Sequence, residues 1–270
     1  MTLERISRKF IQKHPQDAVR VIEQLGDEEK SVLIASLDPK SAAATLRSMT
    51  TGDAVSTLAG MPPVRIIMIL KDESPNFVAA CLRRLPASLR KAIMSEAEQN
   101  GELKSVRTLL SYPPGVAGAV MDPQIPAVQE HMTVKEAIIY VKRYPEKLRN
   151  ILYVVDENNF LTGFIEARDL LVANDTVTLK TSQKPVQYRL NARAHLGTAV
   201  ENPGWEHLDM LPVIDYHGLY LGGLTRESFL KAVSDMESDG TYGDQPKEIL
   251  IGLAETFLNT CSELLFPDRK

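Results

Sequence analysis

The chain has 270 residues, 44% hydrophobic and 24% charged, a balance that excludes wholesale disorder and a disulfide-dense secreted scaffold. Its net charge of −4 speaks against nucleic-acid binding by the whole chain. No run reaches the roughly 20 apolar residues of a membrane-spanning helix. The most apolar stretches, 66–70 and 249–253, are far shorter, and the N-terminus lacks a signal-peptide pattern. A soluble, cytoplasmic protein with no direct membrane insertion is expected. The charge is uneven: residues 1–112 hold 16 Lys/Arg against 13 Asp/Glu, and 113–270 hold 15 against 22. Cys81 and Cys261 each sit among apolar neighbours and read as buried, reduced thiols.

The N-terminal third carries a twelve-residue repeat. Every twelfth position from Ile22 is aliphatic: Ile22, Ile34, Leu46, Leu58, Leu70 and Leu82. Three residues on, Leu25, Leu37, Met49, Met61, Glu73 and Leu85 are apolar in five cases of six, and the column at Val21, Leu33, Thr45, Thr57, Ile69 and Cys81 is mostly so. Columns three apart share one helix face. Helix breakers and caps stand between the copies: Gly26-Asp27, Asp38-Pro39, Thr50-Thr51-Gly52, Pro62-Pro63, Ser74-Pro75 and Pro86. Each unit is thus about two turns of helix and a tight corner. Helices that short must stack on their neighbours, which predicts an all-α superhelix over 1–112 with no strand. Glu73 predicts an irregular fifth corner. Such a domain presents a binding face and no chemistry.

After Leu110 the texture changes. Residues 133–143 read as a helix capped by Thr133, 151–156 as a buried strand ending in a turn, 160–165 as a second strand and 168–173 as another helix. The pattern returns 59 residues later. Leu152, Val154, Asp156, Gly163 and Leu171 match Leu211, Val213, Asp215, Gly222 and Leu230. The order of elements is the same, so the region is a duplicated α+β module.

The pair resembles tandem cystathionine-β-synthase (CBS) modules. Their signature is a hydrophobic strand, an Asp-led turn, then Gly-h-h-Thr-x-x-Asp, where h is hydrophobic. The first copy reads Gly163-Phe164-Ile165-Glu166-Ala167-Arg168-Asp169 and the second Gly222-Gly223-Leu224-Thr225-Arg226-Glu227-Ser228. With the helical repeat in front, the chain resembles the cytosolic region of MgtE-type magnesium transporters. The junction Tyr112-Pro113-Pro114-Gly115-Val116-Ala117-Gly118-Ala119-Val120-Met121-Asp122-Pro123 is similar to that family's Tyr-Pro-x-x-x-Ala-Gly-x-x-Met-Thr-Pro linker. The expected division is 1–112 helical repeat, 113–235 CBS pair (about 115–175 and 180–235) and 236–270 acidic linker with an amphipathic helix. The family's membrane domain has no counterpart in these residues, so transport by this stretch alone is not expected.

The resemblance implies an adenine nucleotide (AMP, ADP or ATP) between the modules, with Gly163, Glu166, Asp169, Gly222, Thr225 and Ser228 at the two clefts. A carboxylate suits a ribose diol because it accepts two hydrogen bonds. The motif is split here. Copy one keeps Asp169 but has Glu166 for Thr, while copy two keeps Thr225 but has Ser228 for Asp. Any nucleotide is therefore expected beside Asp169. Glu166, as a bare negative charge, would favour adenosine or AMP over ATP unless Mg²⁺ intervened. Thr225 or Asp169 could equally cap the following helix. The resemblance also implies Mg²⁺, for which Asp235, Glu237, Asp239 and Asp244 are the candidate ligands. In the tail, Leu250, Leu253, Phe257, Cys261 and Leu264 form an apolar stripe for packing or self-association. A homodimer through the CBS pair and an unidentified protein partner on the helical domain are expected. No phosphate loop, nucleophile elbow or zinc-protease motif occurs, and the five histidines are scattered. The expected function is a non-catalytic regulatory sensor. The alternative is an interaction scaffold whose CBS pair only dimerises.

Overall fold

The computed structural model of the chain describes residues 15–143 and 150–238, with the side chains of 18–143 and 150–236. Among the described residues, eight helices come first: α1 Pro15–Ile22, α2 Asp27–Ser36, α3 Pro39–Ser48, α4 Thr51–Ala59, α5 Pro63–Leu70, α6 Pro75–Arg84, α7 Ala87–Gln99 and α8 Lys104–Leu110. Among the described residues up to 112 there is no strand. Each helix packs on the next but one, from α1 on α3 to α6 on α8. The breakers act as expected. Asp38 Oδ1 accepts from the Ser41 amide at 3.0 Å, Thr50 Oγ1 from Asp53 at 3.2 Å and Ser74 Oγ from Phe77 at 3.4 Å. Pro39, Pro63 and Pro75 fill first-turn positions, where no amide hydrogen is needed.

The six aliphatic residues from Ile22 to Leu82 are all buried, and they form one cluster with Leu37, Met49, Met61 and Leu85. Val21 departs from its column and is 63% exposed. It lies on the flank of the stripe, in the first of the described helices. The irregular corner at Glu73 is present: residues 71–74 separate α5 from α6, and Glu73 turns to Arg47, Oε2 to Nε 3.4 Å.

The junction forms a short helix, α9 (Ala117–Val120), which packs on α8 and on the second module. The first module runs β1 Ala127–Gln129, α10 Val134–Arg143, β2 Ile151–Val155, β3 Leu161–Glu166 and α11 Ala167–Val172. A short helix α12 (Leu179–Ser182) leads to the second: β4 Leu190–Asn191, α13 Leu196–Ala199, α14 Gly204–His207, β5 Met210–Ile214, β6 Tyr220–Thr225 and α15 Arg226–Ser238. The sheets have the same plan, β1-β2-β3 and β4-β5-β6, with the first pair parallel and the second antiparallel. The 59-residue offset extends to the irregularity in register, between Val154 and Val155 in one copy and Val213 and Ile214 in the other.

The Asp-led turns explain themselves. Asp156 Oδ1 accepts from the amides of Asn158 and Phe160, at 2.9 and 2.8 Å. Asp215 Oδ1 accepts from His217 and Leu219, both at 2.8 Å. The matching turn residues Asn159 and Gly218 have φ of +68° and +95°, a conformation open to Asn and Gly. These turns also join the sheets: Leu161 N donates to Gly218 O at 3.2 Å and Tyr220 N to Asn159 O at 2.9 Å.

The cores are distributed unequally. The first module has its own cluster, including Val128, Leu152, Val154, Ile165 and Leu170. The second shares the cluster of the helical array through Leu211, Val213, Leu224, Phe229 and Trp205. Polar contacts tie the end of the helical array and the junction to α6. Arg83 donates to Leu109 O and Tyr112 O, at 2.6 and 3.1 Å, and Asn76 Nδ2 to Val120 O at 3.1 Å. A third cluster, Ile125, Tyr153, Val155, Met210 and Tyr220, lies between the modules. There Tyr153 Oη donates to Met210 O at 2.9 Å and Tyr220 Oη to Ile125 O at 3.1 Å.

Candidate functional site

Gly163 lies in β3 opposite Val154, and Glu166 closes that strand opposite Ile151. Asp169 follows in the first turn of α11. Glu166 occupies the position before this helix but makes no capping bond, so it remains available to neighbours. Lys184 supplies one. Its Nζ stands 2.7 Å from Glu166 Oε1 and 2.8 Å from Asp169 Oδ2. Arg168 Nη2 stands 2.6 Å from Glu166 Oε2. Hydrogen bonds that Lys184 donates to the two carboxylates, Asp169 first, hold its ammonium pKa above the ordinary value. Read in sequence alone, Glu166 is a bare charge; in the fold, Lys184 and Arg168 neutralise it.

Lys184 also lines a cavity of about 350 Å³ with Ile151, Tyr153, Phe164, Tyr188, His207 and Pro212. The walls are strands β2 and β5, and the rim is the segment entering the second module. Tyr188 and His207 face each other with ring centroids 5.9 Å apart. A space of this size, largely apolar with a few polar groups in its lining, suits a planar heterocycle carrying a polar substituent.

The second cleft has the same frame and different contents. Gly222 and Gly223 in β6 pair with Val213 and Pro212. Asp122 bridges to Gly223 as Lys184 bridges to Phe164, so the Asp122-Pro123 and Lys184-Pro185 segments correspond. A Cβ on Gly222 would lie 2.4 Å from Asp122 O, and one on Gly223 would lie 2.9 Å from Ile125 and 3.0 Å from Met210. Ile125 and Met210 are both buried. Thr225 Oγ1 accepts from Ser228 N at 3.2 Å and donates to Ser228 Oγ at 2.9 Å, which caps α15. The predicted residues therefore fall into two groups. Glu166 and Asp169 meet on Lys184, which lines the cavity, and Gly163 lies in the same strand as Glu166. Gly222, Thr225 and Ser228 belong to a packed, helix-capping corner.

Lys184, Tyr188 and His207 do not stand out in the sequence. The signal available was the dipeptide before each module, charged residue then proline, at Asp122-Pro123 and Lys184-Pro185. Of the metal candidates, Asp235 lies in α15, and the Glu237 side chain, Asp239 and Asp244 fall outside the described residues, as does the apolar stripe of the tail. Among the described residues, no three His, Cys, Asp or Glu gather as cation ligands, and no helix is long and apolar enough to cross a membrane.

Residues 13–115 match the family described as the MgtE intracellular N domain, and 117–175 match the CBS domain. The magnesium transporter MgtE of Thermus thermophilus is 27% identical over 225 residues, which are 80% of this chain and 49% of the transporter. That of Enterococcus faecalis is 32% identical over 148 residues, 52% of this chain and 30% of the transporter. The chain thus spans half or less of the length of these relatives. Among solved structures, the cytosolic domain of the Mg²⁺ channel MgtE in complex with ATP superposes with a TM-score of 0.66 at 25% identity, covering 83% of this chain and 92% of that one. The soluble part of a magnesium transporter matches in fold, with a TM-score of 0.61 at 20% identity over 86% and 97%. The helical array and the paired modules are thus similar to the MgtE intracellular N domain and a CBS pair, and they follow one another as in the MgtE cytosolic region.

Proposed function

We propose that this chain is a cytoplasmic, non-catalytic regulatory module that senses an adenine nucleotide in the first cleft and Mg²⁺ through the acids that come after the second module. The observation that carries the nucleotide part is the cavity beside Phe164, whose Lys184 wall is hydrogen-bonded to Asp169. In this reading the cavity takes the base, Asp169 takes the ribose hydroxyls, and Gly163 and Glu166 complete the rim. The similar cytosolic domain solved with ATP supports the ligand class. Gly222, Thr225 and Ser228 contribute packing and a helix cap in place of a second nucleotide.

For Mg²⁺, Asp235, Glu237, Asp239 and Asp244 are the proposed carriers. The support is the chemistry of the run, since Mg²⁺ keeps several waters and needs only one or two carboxylates from a surface. We take the division 1–112, 113–235 and 236–270 as the functional one. Self-association through the CBS pair is part of the same proposal. It is supported by Leu171 and Val172 of α11, which are 80% and 85% exposed. Leu171→Asp with Val172→Asp should then shift the sedimentation coefficient to that of a monomer.

The deciding experiment is a thermal-shift series with adenosine, AMP, ADP, ATP and Mg²⁺, because a ligand that favours the native state raises Tm. Asp169→Ala should abolish the nucleotide shift and Ser228→Ala should leave it intact. If no adenine compound and no Mg²⁺ moves Tm, the interaction-scaffold reading replaces this one.

A further inference from the structure

We infer that Lys184 makes the first cleft selective for phosphate, with Glu166 as its holder, and so replaces the hydroxyl donor that the module's motif lacks at residue 166. This rests on the nucleotide reading above. A carboxylate at that position accepts hydrogen bonds and donates none, so Glu166 by itself offers a phosphate only repulsion. An ammonium clamped to the carboxylate reverses this. Lys184 carries three donors, and Glu166 and Asp169 engage two of them, at 2.7 and 2.8 Å.

The backbone of Lys184 is fixed while its side chain is held only by part-exposed pairs. Lys184 N donates to Phe164 O at 2.8 Å, and Phe164 N donates to Lys184 O at 2.9 Å. The residue is thereby tied to a strand of the cavity wall, while its side chain stays 43% exposed. Pairs at such exposure hold weakly and rearrange at little cost. When a ribose diol takes the Asp169 carboxylate, one Lys184 N–H is released at the polar rim. A phosphate beside the ribose takes that donor, and Glu166 keeps the ammonium aimed. Lys184 is then a specificity residue that reads the phosphate, distinct from Asp169, which reads the sugar. The order of affinity becomes ATP and AMP above adenosine, whereas a bare Glu166 would favour adenosine or AMP over ATP.

The test is calorimetry without Mg²⁺ on the full chain, using adenosine, AMP and ATP as probes. The proteins are the wild type, Lys184→Met and Lys184→Arg, each first matched to the wild type by circular dichroism and Tm. The wild type should bind AMP and ATP at least about tenfold tighter than adenosine, as expected for one charge-assisted hydrogen bond. Lys184→Met should lose that gain and hold adenosine within about twofold, or slightly tighter as Asp169 is freed. Lys184→Arg should keep most of the gain. If adenosine weakens as much as ATP in Lys184→Met, the lysine only shapes the cavity and the inference fails. Unchanged ATP affinity also overturns it, and in both cases the nucleotide reading stands. If the wild type binds none of the three, the reading and the inference fall together.

Discussion

Beside Phe164 the first cleft opens into a cavity of about 350 Å³, whereas beside Gly223, the matching position 59 residues on, Ile125 and Met210 fill the space. The two modules share strand order, register, bulge and turn. They differ in what stands at four matched positions: Glu166 against Thr225, Asp169 against Ser228, Lys184 against Asp122, and Phe164 against Gly223. At the rim of the first, carboxylates and cations neutralise one another; in the second, hydroxyls turn inward to cap a helix. Duplicated frames diverge in their clefts because the frame is held by buried apolar residues, which tolerate little change, while cleft residues stand at its edge. The modules differ also in anchorage, since the second is continuous in core with the helical array and the first is not.

The largest expected effect tests that anchorage. Leu46→Ala in α3 removes a fully buried side chain from the shared cluster and should cost about 2–5 kcal/mol. Trp205, the chain's single tryptophan, lies in the second module within the same cluster. Its fluorescence transition in denaturant should move with the mutation. A Trp205 transition that stays in place while helical signal is lost earlier would separate the array from the second module.

The next effect compares matched glycines. A Cβ at Gly222 meets the carbonyl oxygen of Asp122 at 2.4 Å, which is backbone and cannot turn aside, and φ there is +154°. Gly222→Ala should therefore cost about 1–3 kcal/mol, as overpacking does. A Cβ at Gly163 meets the Gln183 side chain, Oε1 at 2.3 Å, Cδ at 2.7 Å and Cγ at 2.9 Å. Gly163→Ala should cost less, because Gln183 can move away. Equal losses in chemical denaturation would mean the two corners are packed alike.

Much of this frame is legible in sequence for one reason. Periodic burial leaves a periodic signal, as in the column from Ile22 to Leu82, and capping leaves a local one, as at Asp38, Thr50 and Ser74. The Asp-led turns are visible for the same reason: Asp156 and Asp215 satisfy amides two and four residues on. The cleft is less legible. Glu166 and Asp169 stand in the motif, but Lys184, which neutralises both, lies 15 and more residues away in a segment without period. Nothing local in Tyr188 or His207 reports that they face each other across a rim. Side chains that meet by tertiary fold alone carry no spacing to read.

A smaller effect separates the two motif corners. Thr225→Ala removes the acceptor for Ser228 N and should cost about 1 kcal/mol, the usual value of a helix cap. Glu166→Ala, at the matching position, removes no cap and only part-exposed ion pairs, so its loss should be below about 1 kcal/mol. If Glu166→Ala is the more damaging of the two, the rim of the first cleft has a structural role and is not merely poised for a ligand.

The smallest effect comes from two lysines with similar partners and different surroundings. Lys30 bonds Asp53 at 2.8 Å and stands 3.6 Å from Asp27, with its side chain 6% exposed; Lys184 bonds Glu166 and Asp169 with its side chain 43% exposed. The hydrogen bond from Lys30, and then that from Thr50, hold the Asp53 carboxyl below its ordinary 3.8. A depressed carboxyl adds stability that is fully present above the unfolded value and is lost as pH falls through the folded one. Asp53→Asn should therefore lower Tm at pH 7, and the gap to the wild type should close as pH falls below about 3.8. Added salt distinguishes the two sites, because mobile ions screen exposed pairs and reach buried ones poorly. In about 0.5 M NaCl the Asp53→Asn gap should persist. Lys184→Met, whose pairs face solvent, should leave Tm unchanged under the same conditions. A Lys184→Met gap as resistant to salt as that of Asp53→Asn would mean the first cleft is closed by a structural ion pair rather than held open for phosphate.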